Sequence, residues 1–126
     1  MANLLYVEDD KINALVVSKF LHSHHVVTVA NTEQEAIDLL SAGDYDLLIL
    51  DISLGNQEDD GVQLLRKIRA IDAYRNKKIV ALTAHALRED RLKYLSLGFD
   101  DYMSKPIERG FLIQKIEDLL KGQPQI

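Results

Sequence analysis

No cysteine occurs among the 126 residues. Disulfides, thiol nucleophiles and cysteine-based zinc sites are therefore excluded, and the composition fits a reducing compartment. Proline is scarce, at two residues, and no internal repeat, low-complexity tract or linker interrupts the chain. Basic residues are outnumbered, 15 Lys and Arg against 20 Asp and Glu, and the formal net charge of -5 argues against a phosphate-backbone surface. No apolar run approaches the ~20 residues needed to span a bilayer. The N-terminus enters a short predicted strand without the basic and apolar regions of a signal peptide. These absences predict a cytoplasmic protein, or an excised cytoplasmic domain, with neither nucleic acid nor membrane as partner. With 47% hydrophobic residues the chain can fill one core and is too short for two ordinary domains. A single domain over 1–121 is expected, with 122–126 as a frayed tail.

What is present is an alternation of apolar runs and helix-period segments. Strands are predicted at Asn3 to Val7, His25 to Ala30, Asp46 to Asp51, Lys78 to Leu82 and Asp100 to Ser104. Helices are predicted at Asp10 to His22, from an Asn31 or Thr32 cap to about Ala42, at Gly61 to Ile71, from His85 or Ala86 to Leu97, and at Glu108 to Lys121. In the first helix Ile12, Leu15, Val16 and Phe20 share a face and are expected to point inward. Glu35, three residues after Thr32, has capping-box spacing, and Gly43 and Gly98 stand where helices end. Five strand-then-helix units imply a parallel sheet covered on both sides. The expected architecture is α/β, a flavodoxin-like doubly wound five-stranded sheet in the order 2-1-3-4-5.

In that order the first and third strands are neighbours, and their C-terminal ends carry Glu8-Asp9-Asp10 and Asp51 into one crevice. Acidic residues often end strands simply to cap the next helix. Several carboxylates converging at a sheet's switch point need a cation to offset their repulsion, and magnesium, or manganese, suits an all-oxygen set. Asp9 and Asp51 are the candidate direct ligands, Glu8 acts through a water, and the backbone carbonyl of Ser53 supplies a further oxygen. A carboxylate can also attack phosphorus to give an aspartyl phosphate. Thr83, after the apolar run Ile79-Val80-Ala81-Leu82, and Lys105, after the fifth strand, reach the same rim and can stabilise phosphoryl oxygens. Alone, Thr83 reads equally as a helix cap and Lys105 as a surface lysine. Pro106 restricts Lys105 to extended geometry and can adopt the cis form.

The elements Leu4-Leu5-Tyr6-Val7-Glu8-Asp9-Asp10, Leu48-Ile49-Leu50-Asp51-Ile52, Ala81-Leu82-Thr83-Ala84 and Asp101-Tyr102-Met103-Ser104-Lys105-Pro106 resemble those of response-regulator receiver domains over essentially the whole chain. The stretch from Arg88 to Ile107 is especially similar to receivers of hybrid histidine kinases. The resemblance implies that Asp51 accepts a phosphoryl group from a phosphohistidine on a histidine kinase or a histidine phosphotransfer protein. It implies that Glu8 and Asp9 hold magnesium, that Thr83, Ala84 and Lys105 bind the phosphate, and that Thr83 and Tyr102 move together as a switch. The readout surface would be the helix from about His85, the fifth strand and the last helix, facing a downstream protein target. Such a module is a switch rather than a turnover enzyme, either a monomer or a phosphorylation-dependent dimer. One segment departs from the family pattern: Asp51 reaches Gly61 in ten residues instead of eight, without the usual Met-Pro and with Glu58, Asp59 and Asp60. Ser53 and His85 flank the expected phosphate and are assigned to tuning the access of hydrolytic water.

Other readings have specific weaknesses. An aspartate-nucleophile phosphatase of the haloacid dehalogenase kind needs a second Asp two residues after the nucleophile, where Ser53 stands. A flavin mononucleotide binder needs a phosphate-cradling loop after the first strand, where Glu8-Asp9-Asp10 would repel phosphate. A pseudo-receiver that only binds partners would lack one of the acidic residues, Thr83 or Lys105. His22, His24 and His25 lack the spacing of a metal-ligand set and read as a polar helix end.

Overall fold

A computed structural model describes residues 1–52, 59–84 and 90–122, with backbone alone at 59, 60, 90 and 91. The elements run β1 (Asn3–Val7), α1 (Lys11–His22), β2 (Val26–Ala30), α2 (Glu33–Ala42), β3 (Leu47–Asp51), α3 (Asp59–Arg69), a 3-10 turn (Asp72–Tyr74), β4 (Lys78–Thr83), α4 (Asp90–Leu97), β5 (Asp101–Ser104) and α5 (Arg109–Leu120). All strand pairs are parallel, and the order is β2-β1-β3-β4-β5, as the alternation predicts. The 3-10 turn is not among the predicted elements. The predicted start of the fourth helix at His85 or Ala86, and residues 123–126 of the tail, lie outside the described residues.

Strand alternation divides the core in two. Leu5, Val7, Leu48, Leu50, Ile79 and Ala81 face one side, packing with Leu40 of α2, Leu64, Leu65 and Ile68 of α3, and Tyr94 of α4. Leu4, Tyr6, Leu47, Ile49, Val80 and Leu82 face the other, packing with Ala14, Val17 and Leu21 of α1 and Leu112, Ile116 and Leu119 of α5. Strands buried on both faces show no alternation in sequence, which is why β3 reads as a continuous apolar run.

Helix α1 corrects one expectation. Ile12, Leu15 and Val16 are 75%, 57% and 44% exposed, and Phe20 is half-buried, whereas Ala14, Val17, Ser18 and Leu21 are buried. Apolar residues cover two overlapping stripes of this helix, so spacing alone cannot select the buried one. The small Ala14 stripe faces the sheet, and the bulkier stripe is left outward. The Thr32 cap forms as read, its Oγ1 accepting from Glu35 N at 3.1 Å, whereas Asp10, expected as the first residue of its helix, caps α1 instead and accepts from Ile12 N and Asn13 N. Glu108 lies before α5 rather than within it, and its carboxylate accepts from Gly110 N and Phe111 N, which lowers its pKa.

Helix α3 begins two residues before Gly61 and buries Leu64 and Leu65 where Val62 is only half-buried. Gly61 itself has a steric reason. A Cβ there would stand 2.5 Å from Ile52 Cα and 3.2 Å from the Asp51 carbonyl oxygen. Gly61→Ala is therefore expected to destabilise the fold by about 1–3 kcal/mol through overpacking, although alanine's better helix propensity recovers up to about 1 kcal/mol. Urea unfolding measures it, and an unchanged midpoint would show that the approach to Ile52 relaxes freely.

At the opposite rim, Arg69 acts as a clamp. Its Nη1 donates to the carbonyls of Tyr74, Arg75 and Lys77 at 3.1, 3.0 and 2.6 Å. Its Nη2 donates to the Gly98 carbonyl and to Asp100 Oδ2, both at 2.9 Å. Asp100 Oδ2 also accepts from Ile79 N at 2.8 Å. Gly98 closes α4 at φ +116°, a conformation that favours glycine.

Candidate functional site

The strand registers bring the C-terminal ends level. Val7 pairs with Leu50, Asp51 with Leu82, and Thr83 with Ser104. The next residues, Glu8 and Lys105, are pinned by backbone bonds, Glu8 N to the Ala30 carbonyl at 2.9 Å and Lys105 N to the Thr83 carbonyl at 2.8 Å. The Lys105–Pro106 peptide is cis.

Alternation also decides which side chains meet. Tyr6, Glu8 and Asp51 continue the α1/α5 face, and Lys105 joins them there. Lys105 Nζ contacts Asp51 Oδ2 at 2.6 Å and Glu8 Oε1 at 3.4 Å. Ligand oxygens of Glu8, Asp9 and Asp51 lie within 4.8 Å of one another, with Glu8 and Asp51 buried and Asp9 exposed. Thr83 has the opposite parity. Its hydroxyl accepts from Tyr94 Oη at 3.2 Å on the α4 side, and the Tyr94 ring lies 5.5 Å from that of Tyr102. Ala84 follows at the exposed end of β4.

The electrostatics follow from burial. Desolvation is the largest cause that raises the Glu8 carboxyl, followed by its contact with Asp51 and the Asp51 charge; Lys105 and Tyr6 only partly offset these, and the pKa reaches about 8. Desolvation works against the Lys105 charge, but Asp51 and Glu8 outweigh it and raise its pKa. One ammonium faces two buried carboxylates and an exposed one. Glu8 Oε2 is buried without a hydrogen-bond partner. A hard divalent cation fits this donor set: three carboxyl groups that share one ammonium, with one oxygen orphaned.

Sequence reasoning grouped Glu8, Asp9, Asp51 and Lys105, and the structure brings them together. Ser53 and His85, with the acidic stretch Glu58 to Asp60, lie outside the described residues or have no described side chains. Tyr6 and Tyr94 were missed as site residues; a tyrosine within an apolar pattern, whose hydroxyl must be satisfied, was the available signal. The histidines form no metal site among the described residues. His25 is buried, its Nδ1 accepting from Ala2 N at 3.1 Å and its Nε2 donating to Glu117 Oε1 at 2.7 Å.

Residues 4–117 match the family model of the response regulator receiver domain. The chain belongs to the response-regulator receiver family. It is 37% identical over 119 residues to the transcriptional regulatory protein CusR of Escherichia coli, covering 94% of this chain and 51% of that protein. It is 34% identical over 125 residues to hybrid signal transduction histidine kinase B of Dictyostelium discoideum, covering 90% of this chain and 6% of the kinase. The receiver domain of the Francisella response regulator 1452 superposes with a TM-score of 0.84 at 28% identity, covering 97% of this chain and 98% of that one. This receiver thus spans about half of one curated relative and a small part of the other. No helix among the described residues is long and apolar enough to cross a membrane.

Proposed function

We propose that this receiver, folded as one unit over 1–121, accepts a phosphoryl group on Asp51 from a phosphohistidine of a histidine kinase or histidine phosphotransfer protein. An Asp51 carboxylate oxygen forms the new bond to phosphorus as the phosphorus–nitrogen bond breaks, and the electron pair leaves with the imidazole. Glu8, Asp9 and Asp51 would hold Mg2+ or Mn2+, with the Ser53 carbonyl as a further oxygen. Bound there, the cation supplies positive charge against the carboxylates and the phosphoryl oxygens. Lys105, now paired with Asp51, is placed to pass its ammonium to a phosphoryl oxygen. Thr83 and the Ala84 backbone would take other oxygens, and Ser53 and His85 would govern hydrolytic water. The single observation that carries this reading is the buried Lys105–Asp51–Glu8 group at the strand ends.

The donor's docking place follows from α1. Ile12, Leu15 and Val16 are exposed on its outward stripe, and Val16 lines a cavity of about 180 Å³ together with Tyr6, Lys105, Pro106 and Ile107. An apolar helix face beside the reactive carboxylate suits a helical, histidine-bearing partner. The output surface is α4, β5 and α5, where Leu92 and Phe111 are exposed, Tyr102 is half-buried and Lys115 Nζ holds Asp101 Oδ2 at 2.8 Å. There Thr83 would leave Tyr94 for the phosphate, and Tyr102 would follow it inward, biasing a two-state equilibrium.

Acetyl phosphate and Mg2+, followed by intact mass, test the reading. One added phosphoryl group is expected, lost when the cation is chelated beforehand. Multiple turnover of small phosphate esters would favour the phosphatase instead. No modification with acetyl phosphate or a phosphorylated histidine donor would leave only a partner-binding pseudo-receiver.

A further inference from the structure

Tyr6 is the polar exception on its face of the sheet. Its neighbours there are Leu4, Leu47, Ile49, Val80 and Leu82, and the ring is fully buried. A buried hydroxyl is costly unless it is bonded. This one donates to Glu8 Oε1 at 3.1 Å, and the same oxygen receives Lys105 Nζ at 3.4 Å. Glu8 has two oxygens. With Oε1 held twice, the buried, unpartnered Oε2 is the atom left for a ligand. The strand dictates this pairing, because residues two apart project to the same side.

We propose that Tyr6 is a positioning residue for the divalent cation: its hydroxyl fixes the Glu8 carboxylate so that Oε2 is presented to the ion alongside Asp9 and Asp51. The inference rests on reading Glu8, Asp9 and Asp51 as the cation site. Partners that orient a metal's carboxylates, without touching the metal, typically change affinity by ~10–100-fold. Removing this hydroxyl need not disturb packing, since the ring stays in place and already borders the cavity beside Lys105.

Mg2+ binding is measured by calorimetry on the intact chain for wild type, Tyr6→Phe, Glu8→Gln and the double variant, with chelator-treated thermal unfolding as the fold control. Tyr6→Phe is expected to weaken Mg2+ about tenfold, and to add nothing further in the Glu8→Gln background, because the hydroxyl acts through that carboxylate. In the acetyl phosphate reaction the Mg2+ concentration for half-maximal rate should rise by the same factor, with the rate at saturating Mg2+ unchanged. Equal affinities of wild type and Tyr6→Phe would overturn the inference, as would a full tenfold loss in the Glu8→Gln background. A wild-type protein that binds no Mg2+ would instead remove the underlying cation reading.

Discussion

Asp51→Asn is expected to abolish modification by acetyl phosphate while leaving the fold intact. The substitution conserves volume, and the side-chain carbonyl can still accept from Lys105 Nζ, which now stands 2.6 Å from Asp51 Oδ2. What disappears is the anionic oxygen that must bond to phosphorus, since a neutral amide is no nucleophile for this step. Glu8 is no substitute: burial and its neighbours keep its carboxyl protonated up to about pH 8, and Lys105 also occupies one of its oxygens. Intact mass should show no added phosphoryl group on a protein whose circular dichroism matches wild type. A fully phosphorylated Asp51→Asn protein would move the acceptor elsewhere and end the proposed assignment.

A second large effect is expected in the cation-free protein, whose stability should fall as pH rises from about 4.5 to about 8 relative to a Glu8→Gln variant. Glu8 ionises near 4.5 when unfolded and near 8 when folded. Between those values the native state retains a proton that the unfolded chain has released, so each rise in pH favours unfolding, by at most about 1.4 kcal/mol per unit. The contribution is complete below pH 4.5 and gone above pH 8. Glu8→Gln cannot titrate and should lack this slope. Added Mg2+ should flatten it in wild type, because the cation then offsets the charge that the proton had suppressed. Chelator-treated unfolding curves across this range, for both proteins, make the comparison; parallel curves would show that Glu8 is ionised throughout.

The fold was legible because its units are regular. Five apolar runs, four of them leading into Glu8, Asp51, Thr83 and Lys105, were enough to order the strands, and the order itself brought the acidic ends together. Helix α1 was legible as a helix but not in its orientation, since both of its stripes are apolar and only the sheet decides between Ala14 and Leu15. The Tyr94–Thr83 and Tyr6–Glu8 bonds were invisible for another reason. A tyrosine within an apolar pattern is accounted for by its ring, and nothing local reveals where its hydroxyl ends. The pairing of Arg69 with Asp100, 31 residues apart, likewise depends on tertiary placement of the end of α3 and the lead-in to β5.

That clamp divides the molecule's freedom unevenly. Arg69 ties the exit of α3, the lead-in to β4 and the exit of α4 into one knot at the sheet's N-terminal edge. The far edge is held by side chains instead: Lys105 contacts Asp51 and Glu8, and Tyr94 of α4 donates to Thr83. Helix α4 is thus pinned at its tail by a guanidinium, and any movement that follows a charge on Asp51 is expected to pivot there.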